Sequence, residues 1–198
     1  MATSPGQLTG RFFYLLLAVN RPRLDGFKHW LFHPGMLFQS RQQWWGDEKP
    51  RSNPHEGLDL CWFKDVGGNR QSLDHTTAIP APFPGTIVKI SRDFLGQSIF
   101  VAHDILPEPD RRLYTALGHT SPRPGLAVGQ KVLEGEILAT VSAPANRQTT
   151  VEPHLHITLA LIPDSIPATQ LTWNNLGTEP TIILFDPLAV FPTTSAML

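Results

Sequence analysis

The sequence predicts a mainly β domain of antiparallel sheets, and three observations predict it. Nineteen prolines and fifteen glycines punctuate the 198 residues too often for long helices. They favour short strands joined by turns. Phe83-Pro84-Gly85-Thr86-Ile87-Val88-Lys89-Ile90 sets a Pro-Gly turn ahead of a β-branched alternation, a clear strand signal. Glu152 to Ala160 reads as another strand, with His154 and His156 two residues apart. Side chains alternate across a strand, so the two imidazoles share one face while Leu155 and Ile157 point to the other.

The remaining elements follow in order. Residues 1–10 are small and polar, a loose terminus. Phe12 to Val19 is a short apolar run after Arg11, read as a buried β-strand. It is too short to span a bilayer, which takes about 20 apolar residues. As an export signal it lacks a small-residue cleavage site, since Asn20-Arg21-Pro22-Arg23 follows. Residues 20–54 carry Phe27, Trp30, Phe32, Phe38, Trp44 and Trp45 with no sustained 3.6 period. They predict irregular structure with short strands, its aromatics serving as core or as a groove wall. A strand is expected from Leu58, and a polar, Gly-rich surface loop over 64–77. Ser98 to His103 and Arg112 to His119 predict two strands joined by a Pro- and charge-rich connection. Gly125 to Val141 predicts a tight meander with glycines at its turns. Residues 142–151 are expected as a loop, 163–180 as a Pro/Asn/Thr-rich insertion, and Thr181 to Leu188 as a last strand entering a turn.

Composition limits the function. Apolar residues make up 41% and charged residues 17%, with a net charge of -1, so there is no electrostatic footprint for nucleic acid. The single cysteine, Cys61, permits no disulfide within the chain. Imidazole is the commonest protein metal ligand, and zinc accepts imidazole and carboxylate together. His156 is one candidate ligand. His55 and Asp59, spaced H-x-x-x-D around Gly57, are two more, and His119 ends a third strand.

Taken together these motifs resemble the LytM/lysostaphin type of zinc metallopeptidase, the M23 family. The resemblance runs over about residues 53–190. It rests on His55-x-x-x-Asp59, Pro84-Gly85-Thr86-Ile87-Val88, Leu117-Gly118-His119-Thr120, the Val128 to Leu138 meander, His154-Leu155-His156 and Phe185-Asp186-Pro187-Leu188, in that order. Leu117 stands where the family has a tyrosine, Thr120 where it has a leucine, and Asn146 to Pro153 where it has a Gly-rich approach. The resemblance implies a LytM-like sheet groove with a zinc site. It assigns His55, Asp59 and His156 as ligands of Zn²⁺, and His119 and His154 as flanking catalytic groups. It implies a metalloendopeptidase cutting peptidoglycan cross-bridge or stem peptides. It also implies a location outside the cytoplasm, although no clear signal peptide is visible.

The expected organisation is an aromatic-rich segment, 1–52, packed on a peptidase domain, 53–198. The alternative is a non-catalytic LytM-like module that activates a partner hydrolase; such members lose their ligands, and this sequence keeps the set. A lipoyl-type carrier also uses a Val/Gly meander, but Lys131 lies inside the meander, not at a hairpin tip. His29, His33, His75 and His103 match no motif and are expected to be structural or exposed. Glu56 or Glu152 could orient a ligand imidazole.

Overall fold

The computed structural model describes residues 9–47, 49–106, 109–143 and 151–198. The 142–151 loop expectation, and the Asn146 to Pro153 departure with it, fall mostly outside the described residues.

The architecture is mainly β. The strands are β1 (Phe27–Phe32), β2 (Leu58–Leu60), β3 (Trp62–Asp65), β4 (Arg70–Ser72), β5 (Ala78–Pro80), β6 (Gly85–Arg92) and β7 (Gln97–His103). They continue with β8 (Arg111–Pro122), β9 (Lys131–Val132), β10 (Ile137–Val141), β11 (Leu155–Pro163), β12 (Ile183–Phe185) and β13 (Ser195–Met197). Three short helices, α1 (Phe12–Val19), α2 (Trp173–Thr178) and α3 (Pro187–Val190), accompany them. The larger sheet runs β12-β11-β8-β7-β6-β9, with β2 also on β11 and β10 bridging β8 to β5. The smaller runs β13-β1-β3-β4. Every ladder between these strands is antiparallel except β1–β13.

Strand β11 lies inside the larger sheet, flanked by β8 on one side and by β12 and β2 on the other, and it is buried along both faces. Leu155, Ile157, Leu159 and Leu161 enter the main core. Ala160 and Ile162 face a second core with Phe100, Tyr114 and Leu176. Only at the start of the strand is that second face polar, and there it carries His156 and Thr158.

Several expectations are corrected. Phe12–Val19 is an α-helix, not a strand. Phe12, Leu16 and Asn20 are buried at four-residue spacing while Tyr14 is exposed. The run is apolar throughout, which hid that period from the sequence. Within the expected loop 64–77, Arg70–Ser72 forms β4 as a polar, exposed edge strand. The 163–180 insertion holds α2, started by a Thr172–Asn175 capping box. Thr181 to Leu188 does not hold the last strand, since β13 follows and pairs with β1. The meander glycines Gly125, Gly129 and Gly135 do adopt positive φ. Among the described residues no helix is long and apolar enough to cross a membrane.

Candidate metal centre

Register builds the site. His156 lies opposite Asp59 on β2 and opposite Gly118 on β8. Three adjacent strands therefore bring Asp59, His156 and the Gly118-His119 pair to one point. His55 arrives from the loop ahead of β2, tied to residues 37–40 by Gln39 N–H to His55 O and His55 N–H to Ser40 O. Gly57 lets the loop press against β11, because a Cβ there would collide with Ile157 O and Thr158 Oγ1.

Three donor atoms converge. His156 Nδ1 is 2.8 Å from Asp59 Oδ1 and 3.2 Å from His55 Nε2, and His55 Nε2 is 3.3 Å from Asp59 Oδ1. All three residues are buried. The outer ring nitrogens are occupied. His55 Nδ1 donates to Leu37 O at 3.0 Å, and His156 Nε2 meets Thr158 Oγ1 at 2.9 Å. A carbonyl can only accept, so in its neutral form His55 turns its Nε2 lone pair toward the other two residues. A proton on His156 Nδ1 satisfies two of the three contacts; a cation satisfies all of them. A tetrahedral ion with bonds of 2.0–2.1 Å separates its ligand atoms by about 3.3 Å. The donor set and its spacing fit such a metal.

Electrostatics agree with this. Burial pushes the Asp59 carboxyl up, but His55, His156 and His154 together outweigh it and hold it well below the usual range. Burial pushes His156 down toward the neutral, ligating form, against the pull of Asp59.

Two further imidazoles flank the centre. His154 Nδ1 donates to Glu152 O at 2.9 Å, and its Nε2 lies 3.9 Å from Asp59 Oδ1. Burial pushes His154 down to about 4. His119 packs against His154 with ring centroids 4.7 Å apart. Its backbone is in the left-handed region, φ 60°. The cause is a bulge: Gly118 and His119 together face the single residue Ser98 between the pairs Gln97–Thr120 and Ile99–Leu117. Bulges of this kind re-aim a side chain. Asp93 secures the result. Its Oδ2 accepts the His119 backbone N–H at 2.9 Å and its Oδ1 lies 3.3 Å from His119 Nδ1, off the line of a good hydrogen bond. Burial would raise the Asp93 carboxyl, but His119 and Ser98 reverse that and hold it far below its ordinary value.

The family model for peptidase family M23 matches residues 66–165, half of the chain. The chain belongs to peptidase family M23. The matched span holds His119, His154 and His156 and begins after His55 and Asp59. No curated protein matches the chain. Among solved structures, the NMR structure of lysostaphin is 16% identical over 73% of this chain, with a TM-score of 0.40. The chain spans 56% of that lysostaphin. A catalytic-domain mutant of the prophage-encoded M23 protein EnpA from Enterococcus faecalis is 20% identical over 65% of this chain and 82% of its own, with a TM-score of 0.35.

All five residues singled out in the M23 chain's sequence, His55, Asp59, His119, His154 and His156, line one cavity of about 170 Å³. Trp45, Arg51, Glu56, Phe94 and Trp173 complete its wall. The aromatics of 20–54 divide between the two expected uses. Trp30 and Phe32 are core, whereas Trp45 stacks over His154 and lines the cavity. Glu56 Oε1 lies 3.9 Å from His156 Nε2. The Glu152 carboxylate turns away to Trp62 and Ser72, so its backbone carbonyl is what orients His154. His103 is remote, bonded to Pro84 O and Thr115.

Sequence reasoning missed Asp93, Arg51 and Thr158, and it placed Trp44 only among the aromatics of a core or groove wall. Asp93 opens a turn, where it accepts the Leu95 and Gly96 N–H groups. An aspartate in that position is accounted for by the turn alone. Trp173 was noted only as part of the insertion; it lies edge-on to His156 at 4.6 Å and bonds Ser98 Oγ.

Proposed function

We propose that the chain is a zinc-dependent endopeptidase that hydrolyses peptide bonds of peptidoglycan, with 53–198 as the peptidase domain and 1–52 packed on it. The observation that carries the reading is the convergence of His55 Nε2, Asp59 Oδ1 and His156 Nδ1, each backed by its own partner, beside two imidazoles that are not needed as ligands. Membership of the M23 peptidase family supports peptide hydrolysis; peptidoglycan is the substrate class drawn from the family resemblance.

A bound zinc ion supplies Lewis acidity, polarising the scissile carbonyl and acidifying water. His55, Asp59 and His156 would hold it. His154 has its Nδ1–H committed to Glu152 O, so Nε2 is the atom that takes the proton of the attacking water and later returns it to the leaving amine. His119, held by Asp93, directs its remaining nitrogen to the groove, where it hydrogen-bonds the charge developing on the carbonyl oxygen. Trp45, Phe94 and Trp173 wall the centre with apolar surface and limit its contact with water.

The test is release of new amino groups from cell-wall sacculi by the zinc-loaded chain. The expected result is release that His156→Ala abolishes together with zinc binding. A zinc-loaded protein that opens no wall preparation and no wall peptide refutes the enzyme reading.

A further inference from the structure

We propose that Trp44 is a positioning residue for Asp59, and that its indole N–H sets the metal affinity of the centre; this rests on the metal-binding reading above. The two oxygens of Asp59 have separate partners. Oδ1 faces His55 Nε2 and His156 Nδ1. Oδ2 accepts from Trp44 Nε1 at 2.7 Å, and an Arg51 guanidinium nitrogen lies 3.6 Å from the same oxygen. The Asp59 side chain is 2% exposed, so water has little access to replace a lost donor.

The chemistry of the donor matters. Indole N–H donates and cannot accept, so Trp44 cannot itself ligate a cation. By holding Oδ2 it leaves Asp59 one oxygen to offer. A single carboxylate oxygen with two imidazoles makes a three-ligand set with one open position, which suits zinc. Calcium takes six to eight oxygens, often from bidentate carboxylates, and this arrangement does not offer them.

Trp44 is itself held rigidly. It is buried, edge-on to Trp62, Trp45 and His154 at centroid distances of 5.2, 5.5 and 5.0 Å. Arg51 is fixed beside it by Gly35 O and Gln42 O and lies 4.6 Å over the Trp45 ring. Leu37 O, from the same stretch, orients His55. Residues 35–51 therefore furnish the outer partners of two of the three donors. All of them precede the span matched by the family model, 66–165. The metal centre of this chain is completed by residues outside that span.

The experiment measures the zinc dissociation constant of the full chain by competition with a chromophoric chelator. Three proteins are compared: wild type, Trp44→Phe, and a chain carrying β-(3-benzothienyl)alanine at position 44. The last keeps the bicyclic shape and deletes the N–H, so it decides the matter even where Trp44→Phe fails to fold. Loss of an outer partner of a metal ligand weakens binding by about 10–100-fold, and that loss is expected in both variants. A benzothienyl chain with wild-type zinc affinity overturns the proposal, because Trp44 would then act through packing alone. A wild type that binds no zinc overturns both this proposal and the metal reading. Failure of the peptidase reading alone looks different: wild type binds zinc, the variants bind it more weakly, and no protein releases amines from sacculi.

Discussion

Gly57→Ala adds one methyl group midway between His55 and Asp59, and the surrounding atoms fix its consequence. The new Cβ would lie 2.5 Å from Thr158 Oγ1 and 2.7 Å from His156 Nε2, and closer still to Ile157 O. Ordinary contacts are about 3.5–4.0 Å, so roughly 1 Å must be found. Gly57 is not among the glycines with positive φ, so its backbone accepts alanine and the clash alone decides. Ile157 O belongs to the backbone of β11, which is bound on both sides by β2 and β8. Relief comes from a retreat of the 55–59 loop or a rotation of His156, and either moves a donor atom. Metal–ligand distances tolerate about 0.2 Å, so zinc affinity falls steeply. The overpacking itself costs about 1–3 kcal/mol. Urea unfolding with chelator and with zinc separates the two effects. Zinc at 100 times the wild-type Kd stabilises wild type by about 2.7 kcal/mol. A 100-fold weaker variant gains only about 0.4 kcal/mol at that concentration. A variant with wild-type stability and the full zinc increment would refute the reasoning.

Other perturbations follow from the same contacts. Asp93→Ala leaves the His119, Leu95 and Gly96 N–H groups and the Ser98 hydroxyl without their acceptor. It is expected to lower kcat by about 100-fold while sparing zinc affinity, since no ligand is touched; a parallel loss of zinc in a chelator competition would contradict this. Asp59→Asn withdraws the charge shared by His55 and His156, and should abolish zinc uptake measured by metal analysis of the purified chain. His103 carries a pH dependence. Burial pushes it from 6.5 to about 4, so the unfolded chain takes up the proton near 6.5 and the folded chain only near 4. Stability is therefore full above the unfolded value and is lost as pH falls toward 4, by about 3 kcal/mol. Denaturant unfolding at pH 7 and pH 4 should show a loss in wild type that His103→Asn reduces by about that amount; equal pH slopes would rule it out.

What was legible in the sequence follows periods and turns. Strands β6, β7 and β8 were readable because Pro-Gly and Pro-rich turns bracket β-branched alternation. H-x-H was readable because a two-residue spacing on a strand repeats a face, and H-x-x-x-D because both residues are ligand types. Helix α1 was not readable, because an unbroken apolar run carries no period to choose between helix and strand. Strands β4 and β13 are three-residue edge strands; β4 is wholly polar, so no apolar alternation marks it, and β13 pairs with β1 from the other end of the chain. The support of the site was the least legible part. Trp44 meets Asp59, and Asp93 meets His119, only through tertiary contacts across 15 and 26 residues. Nothing in the local spelling of either residue distinguishes it from a core tryptophan or a turn aspartate.

His119 and His154 look interchangeable as two imidazoles beside a metal centre, yet their surroundings make them chemically unequal. His154 is closed on one side by a neutral carbonyl, and burial pushes it down to about 4, so at neutral pH it is the unprotonated imidazole that the proposed reaction needs. His119 faces a carboxylate whose proton affinity is held far below normal, so a fixed negative charge lies against its Nδ1. The bulge at Gly118-His119 stores backbone strain of about 1–3 kcal/mol, and Asp93 holds it in place through the same carboxylate that lies against the ring. One aspartate therefore fixes where His119 points, and the proposed division of labour between the two histidines rests on that contact.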